Sequence, residues 1–317
     1  QLLTTDMLTC VQKYYGSRLE SSCDLQTSAS SCSVSCRPLP SSVREALSLV
    51  HPEVTKKFFG CGLPFPAKFE GCRVLDLGSG SGRDCYAFSK LVGPTGYVTG
   101  IDMTEELISV SRQYIDYHQK KFGYEKPNVT FVQGYMEKLG EAGIQSDSVD
   151  VAVSNCVICL CPDKRAVLQQ AYNVLKEGGE LYFSDMYASK VIPDHMKQDP
   201  VLWGEGMSGS LFWQDLISLA HSVGFSTPYL VSATNIVVHD SELKAKAGRY
   251  QKDVAVEVNR EMAAVLHSSR FCSDFKIQIS DKAESCSEST PQYCHLNPFL
   301  LADKMGSSVK QCSKTSK

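Results

Sequence analysis

What this chain lacks narrows its function before any motif is read. No apolar run approaches the ~18 residues that a membrane-crossing helix needs. There is no basic excess either. The 32 Lys and Arg against 35 Asp and Glu leave a net charge of −3, so nucleic-acid binding driven by counterion release is not expected. The first residues, Gln1 to Asp6, do not have the basic-then-apolar layout of a secretory leader, and the reading is a soluble protein of the cytoplasm (cytosol), with no membrane partner and acting as a monomer. The seven histidines show no paired spacing, so no general base stands out, and each reads as a surface or capping residue. Global disorder is excluded by the 43% of hydrophobic residues, and 317 residues suffice for two domains of about 150 each. No internal repeat is present.

Cysteine is abundant but uneven. Of the 14, seven fall between Cys10 and Cys85, three cluster at Cys156, Cys159 and Cys161, and none follows until Cys272. A secreted disulfide framework would be spread more evenly. Reduced thiols used for chemistry, metal binding or packing remain open. The sequon at Asn128 carries no reading without secretion.

Residues 1–66 read as a helical arm broken by a Ser/Cys-rich loop, Ser28 to Cys36. From Cys72 strand and helix alternate. Short apolar strands are expected at Val74–Leu77, Tyr97–Ile101, Val129–Val132, Val149–Val153 and Leu181–Ser184. Thr104 is expected to cap a helix with Leu107, Val110, Tyr114 and Tyr117 on its buried side. A helix from Asp163 carries Val167, Leu168, Ala171, Val174 and Leu175, with Gly178-Gly179 ending it. Trp213 to Val223 reads as a helix closed by Gly224, Tyr229 to Val238 as a strand, and Glu257 to His267 as a helix. The tail from Ser280 reads as loosely ordered. The alternation predicts an α/β fold, a doubly wound Rossmann-like sheet with an N-terminal helical arm and a small C-terminal module. The expected division is arm 1–66, cofactor-binding domain 67–225, and C-terminal module with tail 226–317.

The strongest motif is Val74-Leu75-Asp76-Leu77-Gly78-Ser79-Gly80-Ser81-Gly82, a strand running into a turn whose glycines let backbone approach a ligand. Asp102 follows about 20 residues later at a strand end, where a carboxylate can accept from both hydroxyls of a ribose. Arg83 occupies the place of the last glycine in G-x-G-x-x-G, and no phosphate-cradling G-x-x-x-x-G-K-[ST] exists. Asp76 is ill suited to a pyrophosphate but suits an ammonium group. Cys156 directly follows the fourth strand, at the carboxyl edge where open α/β sheets bind ligands, and on position alone it is equally well a buried small hydrophobe.

The glycine pattern, Asp102 and Gly178-Gly179-Glu180-Leu181 resemble the class I S-adenosylmethionine-dependent methyltransferases. That resemblance implies cofactor contacts at Asp76, Gly78, Gly80, Gly82, Asp102, Met103, Met136, Glu137 and Asn155. A more specific likeness is carried by Tyr14-Tyr15-Gly16, Asp24 to Thr27, Phe59 to Leu63, Asp76 to Tyr86, Asn155-Cys156-Val157, Leu202-Trp203-Gly204-Glu205 and Ser269-Arg270-Phe271. Together these resemble the arsenite methyltransferases of animals. The resemblance implies that Cys61 and Cys156 hold arsenic(III), that Cys32 pairs with Cys61 during turnover, and that thioredoxin or glutathione resets the pair. It also implies a third arsenic-binding thiol where this chain has Gly206, and a longer module after Leu243, so impaired or absent activity is expected, with weaker binding of inorganic arsenite unless Cys159 or Cys161 stands in. Two other readings stay open: a small-molecule C- or O-methyltransferase with incidental cysteines, and a non-catalytic thiol or metal-binding protein using Cys156-x-x-Cys159.

Overall fold

The structure is a computed structural model and describes residues 4–25, 39–60, 62–66, 69–235 and 258–268. Its centre is one sheet in the order β3-β2-β1-β4-β5-β8-β7. The strands are β1 (Arg73–Leu77), β2 (Tyr97–Asp102), β3 (Val129–Gln133), β4 (Val149–Asn155), β5 (Leu175–Ala188), β7 (Tyr229–Asn235) and β8 (Val258–His267), with the two-residue β6 (Leu211–Phe212) beside β5. β1 to β5 run parallel, whereas β8 lies antiparallel between β5 and β7. The first crossovers are α4 (Arg83–Val92), the pair α5 (Glu105–Gln113) and α6 (Ile115–Phe122), and α7 (Lys164–Val174). This order turns round between β1 and β4, the switch point at which open α/β sheets leave a crevice at their carboxyl edge.

β1 and β4 are buried nearly throughout, as strands covered by helices on both faces must be. α7 buries Val167, Leu168, Ala171 and Val174 against the sheet, each fully buried large aliphatic giving about 1.5–3 kcal/mol. Asp163 caps it by accepting from the Ala166 N–H at 2.9 Å. α10 (Trp213–Val223) stops at Gly224 in the left-handed region.

Several expectations are corrected. β8 occupies the stretch read as a helix from Glu257 to His267. Its Glu, Met, Ala and Leu are good helix formers, but hydrogen bonds to β5 and β7 on both sides outweigh propensity. The helix after Thr104 breaks at Tyr114, and its buried residues are Leu107, Ile108 and Ser111 and then His118 and Phe122, so Tyr117 is exposed. Thr104 is the N-cap residue without a side-chain cap bond. The Gly178-Gly179 pair lies inside β5, near a register irregularity against β4, and not at a helix end. His118 is a core residue. It stacks on Tyr86 with ring centroids 3.5 Å apart and accepts from the His51 N–H at 3.1 Å. Burial holds its pKa down at about 4. β7 and β8, which follow position 225, pair with each other, and β8 with β5, in the same sheet. The tail from Ser280 and the Ser28–Cys36 loop lie outside the described residues.

The arm contributes α1 (Thr4–Lys13), a π-turn at Tyr14–Arg18, α2 (Ser41–Ser48) and α3 (Pro52–Lys56). No helix among the described residues is long and apolar enough to cross a membrane.

Candidate active site

A cleft with about 870 Å³ of open space lies at the carboxyl edge of β1, β2 and β4. Its floor is the turn after β1. Gly78 there has φ +74°, and an added Cβ would come within 2.6 Å of Val157, so both the turn and the packing demand glycine. Eight of the nine expected cofactor residues line the cleft: Asp76, Gly78, Gly80, Asp102, Met103, Met136, Glu137 and Asn155. Gly82 does not. It sits at the start of α4 with Phe131 and Ser111 against its Cα, a packing role beneath the loop.

The two carboxylates differ in setting. Asp102 Oδ2 accepts from the Gly80 N–H at 2.9 Å and its Oδ1 from the Thr104 N–H at 2.8 Å, which fixes the side chain at the cleft wall. Asp76 is pushed up to about 8, first by burial and then by the neighbouring Asp84 carboxylate. The Cys85 thiol donates to it at 3.0 Å. A buried carboxyl lining a cleft suits a cationic ligand group. Burial likewise raises Asp102 and Glu137.

Sequence reasoning assigned no role to four groups that shape this cleft. Asp84 is buried and held by Arg83 at 2.7 Å. Ser81 Oγ donates to the Val54 carbonyl at 2.8 Å, tying the cofactor loop to the arm. Tyr15 and Phe59, edge-to-face at 5.4 Å, roof the cleft. Their only signal was membership of the Tyr14-Tyr15-Gly16 and Phe59 to Leu63 motifs.

A smaller cavity of about 250 Å³ adjoins the first, lined by Tyr15, Phe59, Cys156, Cys159, Met186 and Gly206 among others. Cys156, Tyr15, Phe59 and Leu160 line both cavities, so Cys156 stands on the shared wall. Its φ of +57° is rare for a side-chain-bearing residue and is the kind of backbone that clusters at functional positions. Its N–H donates to the Ser184 carbonyl at 2.7 Å. Cys156 is disulfide-bonded in this structure, and none of the free thiols at Cys10, Cys23, Cys72, Cys85, Cys159 and Cys161 is the partner. Cys32 and Cys61 lie outside the described residues. The neighbours of position 61 are described, however. Asn155 accepts from the Gly62 N–H at 3.1 Å, donates to the Gly62 carbonyl at 2.6 Å and to Asp84 at 2.8 Å. Gly60 joins Cys156 on the cleft wall. Asn155 therefore clamps the loop around position 61 against the end of β4.

On the far side of the smaller cavity, Glu205 accepts from the Tyr14 hydroxyl, and the Tyr15 hydroxyl donates to the Gly204 carbonyl at 2.8 Å. Burial and that carboxylate push the Tyr14 pKa up. Gln12 donates to the Met103 carbonyl at 3.0 Å. The arm is thus bonded to both cavities.

A parallel sheet reversing between β1 and β4, a glycine turn after β1 and a carboxylate at the end of β2 lining the cleft define a class I methyltransferase fold. Comparison with known proteins narrows the class. A methyltransferase-domain family profile matches residues 68–245, and an arsenite methyltransferase C-terminal domain profile matches residues 234–317. Arsenite methyltransferase of Mus musculus is 44% identical over 92% of this chain and 90% of its own length. That of Homo sapiens is 43% identical over 95% and 93%. The crystal structure of an arsenic(III) S-adenosylmethionine methyltransferase from Chlamydomonas reinhardtii superposes with a TM-score of 0.65 at 45% identity, covering 73% of this chain and 74% of that one. The chain belongs to the arsenite methyltransferase family.

Proposed function

We propose that this chain transfers methyl from S-adenosylmethionine to trivalent arsenic held by cysteine thiolates. The observation that carries the reading is the position of Cys156 on the wall common to the large cleft and the small thiol-lined cavity.

The residues of the cleft suit the cofactor. Asp76 offers a carboxyl to the ammonium end, Asp102 offers one to ribose hydroxyls, and Met103, Met136 and Leu107 give apolar surface for an adenine. When bound, the sulfonium supplies an electrophilic methyl group. The chain's task is alignment. Trivalent arsenic exchanges its hydroxyls for thiolates and keeps one lone pair, so the attacking atom has no proton to lose and no general base is needed. A thiolate at Cys156 would hold that atom at the mouth of the cleft, at near-attack distance from the methyl. The Tyr15 and Phe59 rings would exclude water from the path.

Methylation removes two electrons from arsenic, taking it to the pentavalent state. Two thiolates can return them by closing a disulfide, which an external thiol reductant of the thioredoxin or glutathione class then reopens. The disulfide at Cys156 is in keeping with a redox-active thiol here, and its reduction must precede arsenic binding. In this reading Cys32 and Cys61 complete the thiol set. The arm over 1–66 belongs to the acceptor side, 67–225 to the cofactor side, and 226–317 forms the C-terminal module.

The test is product identification. Reduced protein incubated with arsenite or monomethylarsonous acid, S-adenosylmethionine and a thiol reductant should yield methylated arsenic in step with S-adenosylhomocysteine. Turnover should stop when the reductant is exhausted. Cofactor binding without any methylated arsenic would reject the reading in favour of another acceptor.

A further inference from the structure

Cys159 is a thiol for which the reaction as described so far has no use. It is buried, at 2% exposure, and lines the smaller cavity together with Cys156. Cys156 also packs against the cluster formed by Cys159, Val11, Leu160, Met186 and Trp203. Across that cavity is Gly206, with φ +77°, and a Cβ built there would lie 2.9 Å from the Cys159 sulfur and 1.9 Å from the Met186 methyl. The space beside residue 206 is thus already filled by a thiol from another segment. Cys161 is placed differently. Its sulfur lies 3.5 Å from the Met136 sulfur, and it lines the cofactor cleft but not the smaller cavity.

We propose that Cys159 is an additional thiol ligand of this chain, able to take trivalent arsenic jointly with Cys156 in the smaller cavity. This rests on the methyltransfer reading and specifies its acceptor site. The exchange balances without redox change. The arsenic–oxygen bond of an As–OH group breaks, an arsenic–sulfur bond to Cys159 forms, and the thiol proton leaves with the hydroxide as water. Asp185 is built to carry that proton. Its carboxylate accepts from the Cys159 N–H at 3.0 Å, from the Met186 N–H at 2.7 Å, and from the Cys159 thiol itself. Lys164 closes the site from below. Its ammonium donates to the Cys159 carbonyl at 3.2 Å and the Cys161 carbonyl at 2.7 Å.

The probe is phenylarsine oxide, whose hydrated form offers two exchangeable hydroxyls and so reports a pair of thiols. Reduced protein is titrated by tryptophan fluorescence, because Trp203 packs in the same cluster as Cys159. The parent should bind one equivalent. Cys159→Ser should bind at least about tenfold more weakly, because the chelate is reduced to one sulfur. Cys161→Ser and Cys72→Ser should stay within about twofold. S-adenosylhomocysteine binding by each variant checks that the cleft is intact. The unmutated protein gives a second readout: peptide mass spectrometry should place one phenylarsenic bridge across Cys156 and Cys159. Undiminished binding by Cys159→Ser, or a bridge that ends on Cys161, overturns this proposal alone. A reduced parent that does not bind the probe at all overturns the methyltransfer reading with it.

Discussion

The two adjoining cavities are built in different ways. The large cleft has its floor in the turn after β1 and the ends of β2 and β4, where the backbone N–H groups of Gly80 and Thr104 fix Asp102, and only its roof comes from the arm. The small cavity is assembled from the arm, the residues following β4, the carboxyl end of β5 and the turn after α9 (Pro200–Gly204). Few of its residues are neighbours in the chain. The small cavity depends on long-range contacts such as Tyr14 to Glu205 and Tyr15 to Gly204.

This contrast can be broken from either side. The largest effect is expected from Cys156→Ser, which should lower kcat/KM for arsenicals by about a thousandfold or more while cofactor affinity moves less than about threefold. Equal losses in both would erase the distinction. Asp102→Ala is the reverse experiment. Calorimetry should show S-adenosylmethionine bound roughly 30-fold more weakly, with phenylarsine oxide binding unmoved. Asn155→Ala cuts the link between the two. Losing its bonds to Gly62 and Asp84, each worth about 1 kcal/mol, should lower turnover around tenfold and the melting temperature by several degrees. Turnover unchanged in that variant would mean that the loop around position 61 needs no clamp.

The smallest effect is a pH signature of the framework beneath the cleft. His118 titrates near 4 in the folded protein against 6.5 for the ordinary group. Between those values the unfolded chain binds more protons, so its contribution to stability is present above 6.5 and is lost as pH falls toward 4. Asp76, raised from 3.8 to about 8, acts in the opposite sense, its contribution falling as pH rises through that window. His118→Gln should therefore close the gap in melting temperature to the parent as pH drops from about 6.5 to about 4. A gap independent of pH would contradict the buried neutral imidazole.

How far the sequence revealed this follows the same division. The glycine turn, Asp76, Asp102 and the helix from Asp163 are local patterns found near where spacing put them, except that Gly82 faces Phe131 and the helix ends at Val174, before Leu175 and Gly178-Gly179. Strand β8 was read as a helix because its partners β5 and β7 are distant in the chain and carry the pairing information. His118 was missed because nothing in the sequence signals the stacking partner Tyr86. Likewise, Cys156-x-x-Cys159 could be read as a metal half-site, but only the fold shows that Met186 and Gly206 close a cavity around both sulfurs.

The most direct test is a single turnover. Reduced protein loaded with one equivalent of monomethylarsonous acid is mixed with S-adenosylmethionine carrying a deuterated methyl group. The account predicts one deuterated methyl on arsenic for each S-adenosylhomocysteine formed, and none from Cys156→Ser. S-adenosylhomocysteine without labelled arsenic, or label transferred equally well by Cys156→Ser, would contradict it.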